Sequence, residues 1–506
     1  AQTVIEPGNT GSAPAPAAAA LTGGRRQWID LAHDVTLADA ELAVREGFVS
    51  VEHFKRYTTT GMSIDQGKTG NLNAFIVLGA LTGRGTGDVG TTTFRPPYVP
   101  VTLGAFAGRR TGEFYALRRL LPAHAVHERL QGRFEDYGWQ RPDCYPRPGE
   151  SAQDAVRREV LAVRSAVGVF DNSPIGKIEV RGPDAARFLD RVYINNVPAL
   201  AVGRARYGLM LNENGVIIDD GVFVRLAADH FLLNTTSGGA GRVVAMLEEW
   251  LQCEWPGLRV LVDDQTTQWA NFTLAGPRAR AVLAALGTDI DLAPTALPHM
   301  AAAEGSVAGL RARVIRVSFS GEASFEVNVP ARHAGGFLEA VLDAGAPHGI
   351  TPYGVESLMV LRAEKGYLHV GTDTDGATTP DDVGWGAVAR RKQGDFIGKR
   401  SLFRAANLDA ERKQFVGLEP LDAKRALRPG GHLLLGAGRQ PPALTDGWVT
   451  SACFSPTLGR PIALGVLRGG RERLGEIVTV CDEEDRYAAR VVAPIFYDPE
   501  NVRLKT

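Results

Sequence analysis

The segment Leu211–Gly221 reads LNENGVIIDDG. Asn214-Gly215 is a strong two-residue turn signal, and the apolar run Val216-Ile217-Ile218 after it ends in two acids, Asp219 and Asp220. Side chains alternate direction along a strand, so one of these acids faces inward. A carboxylate held away from water can accept a proton or stabilise a passing cation. Taken alone, the pair would serve equally to end a strand and solvate a turn. A second acid, Glu326, interrupts the apolar strand pattern SFEVNVP. Alternation there points Phe325 and Val327 into a core and Glu326 away from it. Tyr207, just ahead of the hairpin, offers an aromatic face that suits a flat heterocycle, although a strand tyrosine fits a core as well.

Other chemistry is weakly encoded. In GMSIDQGKTGN, Gly61, Gln66, Gly67 and Lys68, together with Lys55, Arg56 and Thr91 to Thr93, could offer amides and positive charge to a phosphate. The same residues suit ordinary loops and subunit contacts. The 10 histidines form no H-x-x-x-H or H-E-x-x-H pattern, and no metal is assigned. Ser320 lacks the flanking glycines of a nucleophile elbow, since Ser318 and Glu322 stand there. The 4 cysteines, Cys144, Cys253, Cys453 and Cys481, are far apart and form no C-x-x-C pair, which fits a reducing cytoplasm.

A net charge of −1 provides no global field for nucleic acid or an anionic membrane, and no apolar run approaches the roughly 20 residues of a membrane span. With 44% apolar and 22% charged residues, the 506-residue chain has the balance of a globular protein of several domains.

The elements that must position these residues follow from pattern. Residues 1–26 are Ala/Pro-rich and read as a linker, so the chain is expected either to carry a disordered tail or to be the second half of something longer. Residues 27–80 hold two short helices, one capped by Thr36 with Asp39 three residues on, the other starting near Ser50. Residues 81–160 are loop-rich and read as a connecting, subunit-contact segment. From 161 to 384, strand pairs alternate with helices. Among them are a strand over Lys177–Val180, a helix capped at Asp184, the strand FLLNTT, and the helices GRVVAMLEEWLQ and HAGGFLEAVLDAGA. This predicts α+β layers. Residues 385–506 lose the helical pattern, and HLLLGA, GWVTSACFS, IALGVLR and EIVTVCD predict a C-terminal β-barrel or sandwich.

Five segments now carry a resemblance: VGVFDNSPIGKIEVRGPDAARFLDRV, YGLMLNENGVIIDDGVFV, WANFTLAGPRAR, SFSGEASFEVNVP and LRAEKGYLHVGTDTDGATTPDDVGWG. In this order, from about Val167 to the C-terminus, they resemble the aminomethyltransferase (glycine-cleavage T-protein) family. HDVTLADAELAVREGFVSVEHFKRYTTTGMSIDQGKTGN and GTTTFRPPYVPV further resemble the α subunits of heterotetrameric sarcosine oxidases. The resemblance implies a multi-domain tetrahydrofolate-binding fold with a C-terminal barrel. It also implies transfer of an oxidised N-methyl carbon to tetrahydrofolate, giving 5,10-methylenetetrahydrofolate. The essential aspartate would lie in the Asp219-Asp220 pair, Glu326 would accept the two N–H groups of the pterin edge, and Tyr207 would lie against the folate.

The implied assembly has a flavoprotein β subunit and γ and δ subunits, with FMN where α and β meet, FAD in β and NAD in α. Lys55, Arg56, Gln66, Lys68 and Thr92 would face the flavin. The nucleotide-binding half of such α subunits is not encoded here, since no G-x-G-x-x-G follows a strand near the start. The helical segment also resembles small [2Fe-2S]-binding domains, but residues 1–143 contain no cysteine to hold a cluster. A further departure is Leu358, four residues before Arg362 of the Leu361-Arg362-Ala363-Glu364 motif, where the T-protein has an arginine. Two other expectations stand beside this one. One is an aminomethyltransferase acting alone on a lipoyl-carried aminomethyl group, which the long extension ahead of the core disfavours. The other is a scaffold subunit without catalysis.

Overall fold

A computed structural model describes residues 27–96, 98–99, 101–106, 118–434, 444–483 and 485–505. The linker 1–26 and the end of HLLLGA lie outside them. The chain divides into two compact units, 1–117 and 118–506.

In the first unit a two-stranded ribbon, β1 (Trp28–Asp30) and β2 (Val35–Thr36), precedes α1 (Leu37–Arg45), α2 (Val51–Thr58) and α3 (Asn71–Thr82), followed by the single turns α4 (Thr86–Val89) and α5 (Leu103–Phe106). The predicted cap is present: Asp39 Oδ2 accepts from Thr36 N at 2.8 Å, and Ser50 stands at the N-cap position of α2 without a side-chain capping bond. Ala40, Ala43, Phe54, Ala74 and Leu78 form a small core.

The second unit opens with α6 (His124–Arg129), the ribbon β3 (Arg133–Asp136) and β4 (Gln140–Cys144), and α7 (Ala152–Ser165). Two sheets follow. Their strands are β5 (Val167–Asp171), β6 (Gly176–Arg181), β7 (Arg204–Leu211), β8 (Ile217–Ala227), β9 (His230–Thr235), β10 (Leu261–Asp264), β11 (Trp269–Ala275), β12 (Ala302–Val307), β13 (Leu310–Ile315), β14 (Ser324–Pro330) and β15 (Ile350–Pro352). One sheet has the order β10-β6-β9-β8-β7 and the other β12-β13-β14-β11-β5-β15. Within these two sheets only the β15–β5 pair is parallel. The helices are α8 (Ala185–Val192), α9 (Ala240–Glu249), α10 (Ala279–Ala285), α11 (Ala334–Gly345), α12 (Val355–Lys365) and α13 (Gly386–Arg391). The α+β expectation holds. The C-terminal strands, β16 (Lys413–Pro420), β17 (His432–Leu434), β18 (Gly447–Ser455), β19 (Arg460–Arg468), β20 (Ile477–Asp482) and β21 (Asp485–Val492), close into a barrel.

Each sheet buries one face against helices. Ile178, Phe223, Phe231 and Leu233 pack with Phe188, Leu189 and Val243 of α8 and α9. Phe272, Leu274, Phe325 and Val327 pack with Val282, Phe337 and Val341 of α10 and α11. Each buried Phe or Val contributes about 1.5–3 kcal/mol, so a one-residue slip of β8 or β14 is strongly opposed. The opposite faces meet each other: Val224 and Leu232 of the first sheet share a cluster with Ile315 of the second. Arg313 also bridges to Glu179 at 2.7 Å.

The hairpin turn is wider than its Asn-Gly signal predicts. Asn212 N donates to Val216 O, and the Asn212 side chain accepts from Asn214 N and Val216 N. That Asx arrangement leaves only Gly215 in the left-handed region, at φ +80°.

Candidate functional site

Strand parity separates the two hairpin acids. Asp219 is fully buried on the helix-covered side, where Oδ1 accepts from Asp220 N (2.8 Å) and Thr236 N (3.1 Å) and Oδ2 from Thr236 Oγ1 (3.1 Å). Arg242 lies 3.6 Å away. Burial raises its pKa and these donors oppose the rise. Asp219 therefore ties β8 to the start of α9. Asp220 shares its strand face with Val222 and Val224, the intersheet face. Its Oδ2 accepts from the Tyr207 hydroxyl at 2.7 Å. Desolvation raises its pKa to about 7, with the Asp219 charge adding to the rise and the Tyr207 bond opposing it. The same surroundings hold Tyr207 well above its ordinary value, burial first and Asp220 second.

Glu326 points away from the Phe325–Val327 core as expected, but into the intersheet layer instead of solvent. Its partner across the β13–β14 ladder is Ile315, which packs on the opposing sheet. Its Oε2 accepts from Asn271 Nδ2 at 3.1 Å. Burial raises its pKa, while Asn271 and the facing Lys177 oppose the rise. Lys177, wholly buried on β6, donates to Ser173 O (2.8 Å) and Ile175 O (3.0 Å), and desolvation lowers its pKa to about 8. Around Glu326 several buried polar atoms lack protein partners: Asn271 Oδ1, Ser324 Oγ two positions along the strand, and the Tyr353 hydroxyl, whose pKa the Glu326 charge helps to raise. A buried polar group without a partner costs about 1–3 kcal/mol, so this set suits a ligand rich in donors and acceptors.

Tyr207 also walls a cavity of about 660 Å³ with Trp385, their ring centroids 4.9 Å apart. Tyr207, Asp220 and Glu326 thus share one layer of the second unit.

The residues singled out for a flavin lie in the first unit, where several serve as internal ties. Lys55 Nζ donates to Thr93 O (2.6 Å), Gln66 bonds Ser63 O and Arg95 N (both 2.9 Å), and Thr92 Oγ1 accepts from Asn71 (2.9 Å). Lys68 donates to Tyr98 O at 2.7 Å and remains exposed, as does Arg56. In the Leu361–Glu364 motif, Arg362 pairs with Asp373 (2.6 Å) and Glu364 with Arg164 (2.6 Å) and Ser455 (2.6 Å), which joins α12 to α7 and the barrel. Leu358 packs into the apolar cluster beneath α12.

Sequence reasoning missed Lys177, Asn271, Ser324 and Tyr353. The signal available was a lysine and an asparagine inside strands that are otherwise almost wholly buried.

Two antiparallel-rich sheets, a closed barrel and a partly covered acid between the sheets define a recognisable class. Residues 123–393 match the GCVT N-terminal domain and residues 413–498 the glycine cleavage T-protein C-terminal barrel domain. The chain belongs to the aminomethyltransferase (GCVT) family. An aminomethyltransferase from Saccharopolyspora erythraea is 34% identical over 75% of this chain and 98% of its own length. The crystal structure of glycine cleavage system aminomethyltransferase T from Bartonella henselae superimposes with a TM-score of 0.65 at 27% identity, covering 75% of this chain and 98% of that one.

Within this class the similarity is more particular. Residues 24–109 match the sarcosine oxidase A3 domain. Sarcosine oxidase subunit alpha from Corynebacterium sp. (strain U-96) is 44% identical over 94% of this chain, and that of Rhizobium meliloti is 43% identical over 95%. The chain spans about half the length of these two relatives, 50% and 49%.

Proposed function

We propose that this chain is the folate-binding portion of the α-type subunit of a multi-subunit, flavin-dependent oxidase or dehydrogenase of sarcosine or another N-methyl amine. It passes the oxidised methyl carbon to tetrahydrofolate to give 5,10-methylenetetrahydrofolate. The observation that carries this reading is the Asp220 carboxyl, which is bonded to Tyr207, has a pKa raised to about 7, and shares the intersheet layer with Glu326.

Tetrahydrofolate, when bound, supplies a nucleophilic nitrogen that captures a carbon at the oxidation level of formaldehyde. Glu326 accepts the parallel N–H pair of the pterin edge and so fixes its orientation. Asn271, Ser324 and Tyr353 offer the neighbouring donors and acceptors. Asp220 takes up the proton released as the nitrogen attacks, and its charged form stabilises an adjacent cation. Tyr207 holds the Asp220 carboxylate in place. Asp219 positions the strand by its bonds to Thr236, and the proton-transfer role falls to Asp220 alone. The apolar seam of Val224, Leu232 and Ile315 limits water beside them.

The sarcosine oxidase relatives support partners of the β, γ and δ kinds and a nucleotide-binding half, on this or another polypeptide. FMN would sit at the boundary with β, where exposed Arg56 and Lys68 are the candidate contacts, with FAD and NAD elsewhere in the complex. No helix among the described residues is long and apolar enough to cross a membrane. We place the complex in the cytoplasm.

Calorimetric titration with tetrahydrofolate tests the reading. The parent binds, and Asp220→Ala and Glu326→Ala weaken binding. A parent that does not bind, or variants that bind equally well, overturn it. A lone aminomethyltransferase is the second reading, supported by the nearly full-length match to such enzymes. Turnover with a lipoylated carrier and no flavoprotein would favour it.

A further inference from the structure

The wall of the cavity that Tyr207 and Trp385 share carries positive charge that no carboxylate among the described residues neutralises. Lys392 is accounted for: it pairs with Asp190 at 3.0 Å and donates to Tyr193 O and Asn195 O at 2.8 and 2.7 Å. Arg206 and Arg391 line the same cavity, and among the described residues neither has a carboxylate partner. Arg206 Nη1 reaches only the Asn196 carbonyl, at 3.1 Å. Two guanidinium groups thus line the same cavity as an aromatic pair, one member of which bonds Asp220. Met300, which also lines the cavity, is held at φ +61° by bonds from Ala205 N to its carbonyl and from its own N–H to Arg316 O. A left-handed methionine is strained, and the surrounding strands keep it there.

We infer that this cavity is a carboxylate subsite that anchors the charged end of the molecule whose other end reaches Asp220. A guanidinium is weakly hydrated and matches a carboxylate in fork geometry, and the Tyr207–Trp385 pair suits the flat or apolar part of such a ligand. Two molecules of the proposed reaction carry this chemistry. One is the oxidised amine when it derives from an N-methyl amino acid, a planar iminium two atoms from a carboxylate. The other is the glutamyl tail of the folate. The inference rests on the folate reading only for the identity of the group at Asp220.

The test titrates the full chain and an Arg206→Gln/Arg391→Gln variant calorimetrically. The probes are N-acetylglycine, its uncharged amide, and 5-formyltetrahydrofolate with one or three glutamates. Tail-less 6-methyltetrahydropterin serves as the control for an intact pterin site. A carboxylate subsite appears as a loss of about tenfold or more in the variant, with the uncharged probes unaffected. The loss falls on N-acetylglycine if the carboxylate belongs to the incoming amine, and on the advantage of three glutamates over one if it belongs to the tail. Equal affinity of parent and variant for every carboxylate probe, or binding of none by the parent, overturns the inference. If the control also weakens in the variant, the charge-keeping Arg206→Lys/Arg391→Lys protein decides: recovered carboxylate affinity supports the subsite, and no recovery overturns it. Failure of the parent to bind 6-methyltetrahydropterin sinks the folate reading instead and leaves the carboxylate result standing.

Discussion

Replacing Asp220 with Asn removes a titrating group and keeps its shape, so its consequence for stability can be worked out with its sign. The carboxyl has a pKa of about 7 in the folded chain against an ordinary value of 3.8, and burial is the main cause. The folded state therefore holds the proton more tightly than the unfolded one between those values. Stability contributed at low pH is lost as pH rises through this window. Each tenfold difference in proton affinity is worth about 1.4 kcal/mol, so the penalty in the parent is about 1–2 kcal/mol at pH 5 and approaches roughly 4 kcal/mol at pH 8. Asn carries no such penalty. Exchanging the protonated carboxyl for an amide as the partner of the Tyr207 hydroxyl shifts the stability by about 1 kcal/mol at every pH, which changes the offset and leaves the slope. The stability gap should therefore move in favour of Asp220→Asn by about 2–3 kcal/mol between pH 5 and pH 8. Denaturant unfolding followed by tryptophan fluorescence measures it, since Trp250 and Trp255 pack against the core under the same sheet. A gap that stays constant across that range would show that Asp220 titrates as an exposed acid, and the proton-acceptor argument would fail.

Other expectations follow from the same geometry. Glu326→Gln keeps the Asn271 contact but loses the bidentate charged acceptor, and reduced-folate affinity should fall by about 10–100-fold while the unfolding midpoint moves little. Thr236→Val strips Asp219 of a hydroxyl donor in a wholly buried place and should destabilise the chain by about 1–3 kcal/mol, measured by denaturant unfolding, with folate affinity in the folded fraction nearly unchanged. Gly239→Ala places a Cβ 1.9 Å from Asp219 Oδ2 and should destabilise by a similar amount in the same assay. Folate-dependent product formation should rise with pH through about 7 as Asp220 ionises, and a pH–rate profile of Asp220→Asn should lack that limb.

Local signals were legible where a bond closes within a few residues. The Thr36–Asp39 cap, the strand around Ile178 and the α9 periodicity all formed as their patterns predict. Parity likewise implied that only one hairpin acid faces the site. It could not say which one, because the group that claims Asp219 is Thr236, just past the end of β9. The turn widened because the Asn212 side chain competes for the backbone donors of the loop. Glu326 read as solvent-facing because the second polar face, with Lys177 opposite, comes from a strand about 150 positions earlier and exists only once the two sheets pack. The charged loop residues near Lys55 and Gln66 advertised a phosphate, yet several bond the segment around Thr93 and Arg95, contacts that composition cannot reveal.

The most direct measurement is the crystal structure of this chain with a stable reduced folate. The pteridine should lie between the two sheets, with its aminopyrimidine edge on Glu326 and a ring nitrogen within about 3 Å of Asp220. A pteridine bound outside that layer, or one that leaves Asp220 beyond hydrogen-bond and single-water reach, would contradict this expectation.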